Sequence, residues 1–458
     1  MNDTDVLPTA TRVADPGIRA LYRLESRWQA WLDVEVALAR AQAELGIIPA
    51  AAAEAIARAA RLEKLDRARL DEGFARTGHT IVPLVWELGR VVGEPHGGWV
   101  HWGATTQNIT QTGDLLVLRR AHGVFRHLIG DVLAAMADLA ERGAEMAMPG
   151  RTHGQHAVPA TFGYKVAVWI DELLRHVERL DQMAPRLFVA VLGGGAGTYA
   201  SLGADGPRVQ AGIAKHLGMG SMTVPSRTLG DHLAENLCVL GLLAATCAKI
   251  GREIYTLMKT EFGEVEEPVP PGTVGSSTMP QKRNPKLCQD IIALAAEVRA
   301  QVPVALEAMQ TEHEADRTTS VMFDTAEAHA CIALGDALSR LGEVMRGLKL
   351  DPARMRQNLD LGGGLIMAEA VMLKLGATLG RQHAHDVVYD AAQAAAVENR
   401  AFGDVLAADP RVTAHLDAAA IRGLLDPVAY TGLCAEMARA GAARARAAAA
   451  TLAKEHTR

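Results

Sequence analysis

Residues 275–285 read Gly275-Ser276-Ser277-Thr278-Met279-Pro280-Gln281-Lys282-Arg283-Asn284-Pro285, and fold and function are read outward from this run. It puts neighbouring serines, a lysine, an arginine, an asparagine and two prolines into one short stretch. Just upstream lies a second stiff run, Glu266-Glu267-Pro268-Val269-Pro270-Pro271-Gly272. Proline fixes φ and glycine permits bends, so 266–285 is a shaped loop rather than a helix. Such a loop can aim a serine oxygen and a lysine ammonium at an anionic ligand.

Helical periodicity takes over on both sides. Leu24 to Leu45 places Trp28, Trp31, Leu32, Val34, Leu38 and Ala41 at helical spacing, and Gly46 with Pro49 ends that run. Amphipathic patterns then run from Gly113 to about Met146, Phe162 to about Met183, Leu229 to Phe262, Pro285 to about Met309, and Phe323 to Leu348. Several exceed the usual three turns. Ala440 to Ala453 reads as a final helix, because arginines interrupt its alanines. The expectation is an all-α chain of three helical domains, 1–111, 112–350 and 351–458, the middle one a bundle of five long helices. The apolar stripes of that bundle are too wide for a lone bundle, which implies packing against other subunits.

Composition agrees. At 458 residues the chain exceeds the prior of roughly 100–200 residues per domain. It is 49% hydrophobic but only 4% aromatic, so alanine, leucine and valine must fill the core. A formal charge of −6 argues against a nucleic-acid partner, which calls for a basic face. The five cysteines, at 238, 247, 288, 331 and 434, form no Cys-x-x-Cys pair, and a reducing cytoplasm is expected. Met1–Asp5 is polar and acidic, unlike a signal peptide. The apolar stretch Leu237–Ala248 is too short to span a membrane. Leu187–Gly197 looks like a strand entering a dinucleotide loop but fails the Gly-x-Gly-x-x-Gly spacing. It reads as a tight connection between helices, and Gly362–Gly364 reads as a hinge into the last domain. No histidine pair has ligand spacing beside acidic residues, so neither metal nor cofactor is expected.

Two further segments carry chemistry. His101-Trp102-Gly103-Ala104-Thr105-Thr106-Gln107-Asn108 puts hydroxyls and amides where a helix begins. Free N–H groups and the dipole make such a start a carboxylate seat, although Thr and Asn also serve as plain caps. Gly150-Arg151-Thr152-His153-Gly154-Gln155-His156 places two histidines ahead of the next helix. A histidine titrating near neutrality can hold or release a proton. His79, in Arg76-Thr77-Gly78-His79-Thr80, is a second candidate, and His101 a weaker one.

The loop closely resembles the signature Gly-Ser-Ser-x-x-Pro-x-Lys-x-Asn of the fumarase/aspartase superfamily, matched at Gly275, Ser276, Ser277, Pro280, Lys282 and Asn284. The other two segments are similar to its Thr-Ser-x-Asp and Thr-His-x-Gln stretches, with Thr106 for the serine and Asn108 for the aspartate. The resemblance implies anti β-elimination on a succinyl group through an aci-carboxylate intermediate. Ser276 would be the base, with Ser277 as the alternative. Lys282 and Asn284 would stabilise the intermediate, and His153 or His79 would give the proton. Thr105, Thr106, Gln107, Asn108, Thr152, Gln155, Ser277, Met279, Arg27, Arg317 and Ser320 would contact substrate, though Arg27 also reads as a solvated helix arginine. It further implies a homotetramer whose sites each draw on three subunits.

Within the superfamily, Leu32–Pro49, Gly193–Gly203 and Gly364–Ala370 look like carboxymuconate cycloisomerases. The retained His153 favours a proton-donating lyase. After the loop, His313-Glu314-Ala315-Asp316-Arg317-Thr318-Thr319-Ser320 is similar to the phosphate-holding stretch of adenylosuccinate lyases, but Ala315 stands where they have an arginine. A non-nucleotide, nitrogen-substituted succinyl substrate is therefore expected, acted on without nucleic acid or membrane.

Overall fold

The computed structural model describes residues 9–270 and 272–456; Met1–Asp5 and Pro271, which the sequence reading touches, lie outside them. The described chain is helical, with strands confined to three two-stranded ribbons. Five long helices form the bundle: Thr106–Arg142, Phe162–Leu187, Asp231–Leu257, Lys286–Ala308 and Arg317–Gly347. Their shared core includes Phe125, Met136, Phe162, Trp169, Leu240, Cys247, Ile291, Leu334 and Leu341. Alanine and leucine carry much of this packing, which lets the helices approach closely.

A sixth helix, Cys434–His456, lies along the 106–142 and 162–187 helices and buries Ala442, Ala445 and Leu452 in the same core. The final helix expected with the last domain thus supports the bundle. A second core joins Trp28, Trp31, Leu38 and Leu84 to Leu192, Val209 and Ile213, so the Gly206–Leu217 helix packs on the Leu24–Glu44 helix. A third core gathers Val371, Val388, Phe402, Leu406 and Ile421.

The first bundle helix starts at Thr106, the helix start read from Thr105–Asn108, and its 37 residues extend seven ahead of the amphipathic pattern at Gly113. Three sequence readings need correction. Residues 147–161 form an antiparallel hairpin rather than a plain loop, with Thr152 opposite Gln155. Its two turn residues, His153 (φ 52) and Gly154 (φ 78), take the left-handed conformations that a tight hairpin turn demands. Within Leu187–Gly197, Val189–Ala190 pairs in parallel with Gly220–Ser221, and the remainder is the expected tight connection. The Asp231–Leu257 helix is long and apolar enough to cross a membrane, but 67% of that window is buried inside the fold. Its apolarity is that of a core helix.

Candidate active site

A cavity of about 480 Å³ opens where three bundle helices begin. Thr106, Gln107, Thr110 and Gln111 come from the first turns of the 106–142 helix. Arg227, Thr228, Leu229 and Gly230 lead into the 231–257 helix, which adds Leu233, and Asp316, Arg317 and Ser320 open the 317–347 helix. The 24–44 helix adds Arg27 and Trp31, and a short loop adds Gly78, His79 and Thr80. Converging N-termini present positive dipole ends and the N–H groups that their caps leave free, which favour an anion.

One wall has the opposite character. Arg27 donates from Nε to Asp114 Oδ1 at 2.9 Å, and from Nη2 to Asp114 Oδ2 at 2.7 Å and Asp324 Oδ2 at 3.0 Å. Trp31 Nε1 also donates to Asp114 Oδ1, at 3.1 Å. Glu327 sits one turn beyond Asp324 and accepts from Tyr22 Oη at 3.2 Å. Burial, then the charge of Asp114, pushes Asp324 up to about 6. Burial, then Asp114 and Asp324, pushes Glu327 up to about 8. Burial alone would weaken the Arg27 guanidinium, but Asp114 and Asp324 hold it above its ordinary value. Three carboxyls facing one committed guanidinium leave this wall short of positive charge.

His79 faces the cavity, and its Nδ1 accepts from the N–H groups of Ile81 and Val82, each at 3.4 Å. In the neutral ring the proton therefore sits on Nε2, free to donate. His101 instead bonds buried Glu35 at 2.5 Å; burial acts to lower its pKa, but Glu35 outweighs that and raises it. That pairing gives His101 a structural role.

Of the sequence-predicted contact residues, Arg27, His79, Thr106, Gln107, Arg317 and Ser320 line this cavity. Thr105 and Asn108 do not line it. Asn108 is buried, and its Oδ1 accepts from the N–H groups of Thr105 and Gly194, each at 3.1 Å. It ties the helix start to the glycine-rich connection, which gives the asparagine a cap's role. Sequence reading missed Asp114, Asp324, Glu327 and Arg227. Asp324 and Glu327, three residues apart on a periodic helix, share a face that could have been noticed.

Thr152, His153, Gln155, Ser276, Ser277, Met279, Lys282 and Asn284 are also absent from the cavity wall. His153 sits exposed at the hairpin tip, between exposed Thr152 and Gln155. The hairpin base is fixed by Arg151, which grips fully buried Glu264 through two bonds of 2.6 and 3.0 Å. Asn358 Nδ2 also donates to Glu264, at 2.7 Å. Glu264 lies just past the end of the 231–257 helix, whose start lines the cavity. Those 27 residues span roughly 40 Å. The 286–308 helix likewise starts at the signature loop and ends just before Thr311 of the cavity, so its 23 residues set the two roughly 35 Å apart.

The loop is fastened at its base by buried Glu267, which accepts from the N–H groups of Leu287 and Cys288 at 3.0 Å. Burial raises the Glu267 pKa despite those bonds. Asn284 Nδ2 donates to Gly275 O at 2.9 Å, and Lys286 Nζ to Val274 O at 3.0 Å. A Cβ on Gly275 would lie 2.1 Å from the Lys282 carbonyl, so only glycine fits that crossing. Ser276 Oγ accepts from the N–H groups of Met279 at 3.1 Å and Thr278 at 3.4 Å. Ser277 and the Lys282 side chain are exposed.

Known proteins place this arrangement. Residues 10–300 match the family described as Lyase, and residues 364–440 match Adenylosuccinate lyase C-terminus. The chain belongs to this lyase family of the fumarase/aspartase superfamily and is an enzyme. It is 38% identical over 419 residues to the N-acetyl-S-(2-succino)cysteine lyase of Enterococcus italicus, covering 92% of each chain. It is 39% identical over 421 residues to the 3-carboxy-cis,cis-muconate cycloisomerase of Pseudomonas aeruginosa, covering 91% of each. The crystal structure of a fumarate lyase from Mesorhizobium sp. superposes with a TM-score of 0.88 at 37% identity, over 94% of this chain and 98% of that one. Identities so close together do not separate one reaction from another.

Proposed function

We propose that the enzyme reversibly eliminates an amine from a nitrogen-substituted succinyl compound, releasing fumarate. The observation that carries this reading is the two-sided charge of the cavity. Helix starts suit the carboxylates, and the wall of Asp114, Asp324 and Glu327 suits a protonated nitrogen. A thioether would gain nothing from that wall.

Ser276 Oγ, as the alkoxide, takes the proton from the carbon beside a carboxylate. The electron pair moves into that carboxylate to give the aci-carboxylate. Collapse of this intermediate forms the C=C bond and breaks the C–N bond, while His153 or His79 gives the nitrogen its proton. Lys282 and loop N–H groups stabilise the dianion, the kind of preorganised electrostatic term that dominates such reactions. The backbone N–H bonds already accepted by Ser276 favour its alkoxide over its alcohol.

We further propose a homotetramer in which the hairpin tip and signature loop of neighbouring chains complete each cavity. The roughly 35–40 Å between these parts within one chain supports this. So do Val168, Leu242 and Leu306, which are exposed on the bundle helices.

Incubation with fumarate and panels of amines and thiols, read by mass, tests the reaction. Amine adducts are expected. Thiol adducts alone, or turnover of carboxymuconate without fumarate, would overturn the nitrogen assignment.

A further inference from the structure

Arg27 is one of the two arginines, with Arg317, to which the resemblance gives substrate contact, yet its Nε and Nη2 are spent on Asp114 and Asp324. Another arginine has the opposite situation. Arg227 lines the same cavity, forms no ion pair among the described residues, and keeps its buried Nε without any hydrogen-bond acceptor. Its backbone carbonyl accepts from Gln107 Nε2 at 3.0 Å, which holds this stretch against the start of the 106–142 helix. The neighbouring hydroxyls of Ser226 and Thr228 bond each other at 2.8 Å and so do not serve the guanidinium. A buried guanidinium N–H without an acceptor is uncompensated until an anion arrives.

We propose that Arg227, rather than Arg27, is the cation that binds a carboxylate of the substrate, with the Thr106–Gln107 helix start beside it. The proposal rests on reading this cavity as the seat of a succinyl compound. Arg227 supplies a planar fork to one carboxylate, and the acidic wall receives the nitrogen at the other end. Arg227 thereby fixes which way round the substrate lies.

The test uses the full-length protein and its Arg227→Met and Arg227→Lys variants. Binding of succinate and of its monoamide, succinamate, is read by calorimetry, with steady-state kinetics alongside. Arg227→Met should weaken succinate binding and raise KM by about 10- to 100-fold, the range for a charge-assisted hydrogen bond. The change in kcat should be much smaller. Arg227→Lys should restore part of the loss, because lysine keeps the charge but not the fork. Wild type and Arg227→Met should differ little toward succinamate, in which the amide replaces the carboxylate that Arg227 holds. Thermal stability should hardly move, since the side chain bonds nothing among the described residues.

Unchanged succinate affinity and KM in Arg227→Met would overturn the proposal. If succinate binding depends on Arg227 but no succinyl amine is cleaved, the elimination reading falls and this inference stands. If succinyl amines are cleaved equally well without Arg227, this inference falls and the reaction stands. A wild-type protein that binds no dicarboxylate overturns both.

Discussion

Ser276 and Ser277 are chemically identical, so their surroundings must choose between them. Ser276 Oγ already accepts two backbone N–H bonds, which lower the cost of an alkoxide, whereas Ser277 is exposed. Ser276→Ala should lower kcat by roughly 10³- to 10⁴-fold, near the upper end for loss of a general base. Ser277→Ala should cost far less, with circular dichroism unchanged in both; the reverse ranking would move the base to Ser277. The acidic wall makes a pH prediction. It holds Asp114, Asp324 and Glu327, faced by Arg27, Tyr22 and Cys331. Asp324 titrates near 6 and Glu327 near 8, both raised first by burial. These two carboxyls keep protons that the unfolded chain releases at lower pH. Their contribution to stability is therefore largest in acid and declines as pH rises through 6 and 8. Affinity for a cationic amine runs the other way, because both groups gain negative charge. KM for such an amine in the addition direction should fall about tenfold between pH 6 and 8. Glu327→Gln should flatten the upper part of that profile, and a flat wild-type profile would contradict the assignment. Ser276, Lys282 and His79 could be singled out as candidates in the sequence because motifs or local runs mark them. The sequence could not yield Arg227, which sits in an irregular stretch and gains meaning from Gln107, far away in the chain.

The long helices were legible because a wide buried face repeats at 3.6 residues over many turns. Most ends agree within a few residues, and the largest misses lie at starts such as Arg317, where polar residues line a cavity and break the apolar pattern. The hairpin was hidden because Pro149, Gly150 and Pro159 interrupt its alternation and its tip is polar. Only the His153–Gly154 pair, a tight-turn site, hinted at it. This hairpin depends on Arg151 and Glu264. Arg151→Met leaves the Glu264 carboxylate to Asn358 alone and should destabilise the chain by about 3–5 kcal/mol in urea unfolding. A loss below about 1 kcal/mol, the surface ion-pair range, would show that the hairpin is held otherwise. In the signature loop, Gly275→Ala would drive a methyl into the Lys282 carbonyl. Loss of most kcat with little change in melting temperature is the expected signature of a displaced loop on an intact bundle. Wild-type turnover would mean the loop crossing differs in the working enzyme.

Across the whole molecule, length is what matters. Bundle helices of 23 to 37 residues carry the binding cavity at one end, and the hairpin and signature loop toward the other. No single chain can bring Ser276 to its own cavity without unmaking the bundle. The proposed assembly showed in the sequence as surplus apolar surface, beside what the superfamily resemblance implies, because residues from other chains leave no spacing signal. Pairing two disabled chains tests the assembly most directly. One carries Ser276→Ala; the other carries Thr106→Val with Gln107→Met; each should be inactive alone. Co-expressed with different tags and purified through both, shared sites should regain about a quarter of wild-type turnover for random mixing in a closed oligomer. Mixed assemblies that stay as inactive as their parents would show that each chain acts on its own, and would contradict the shared site.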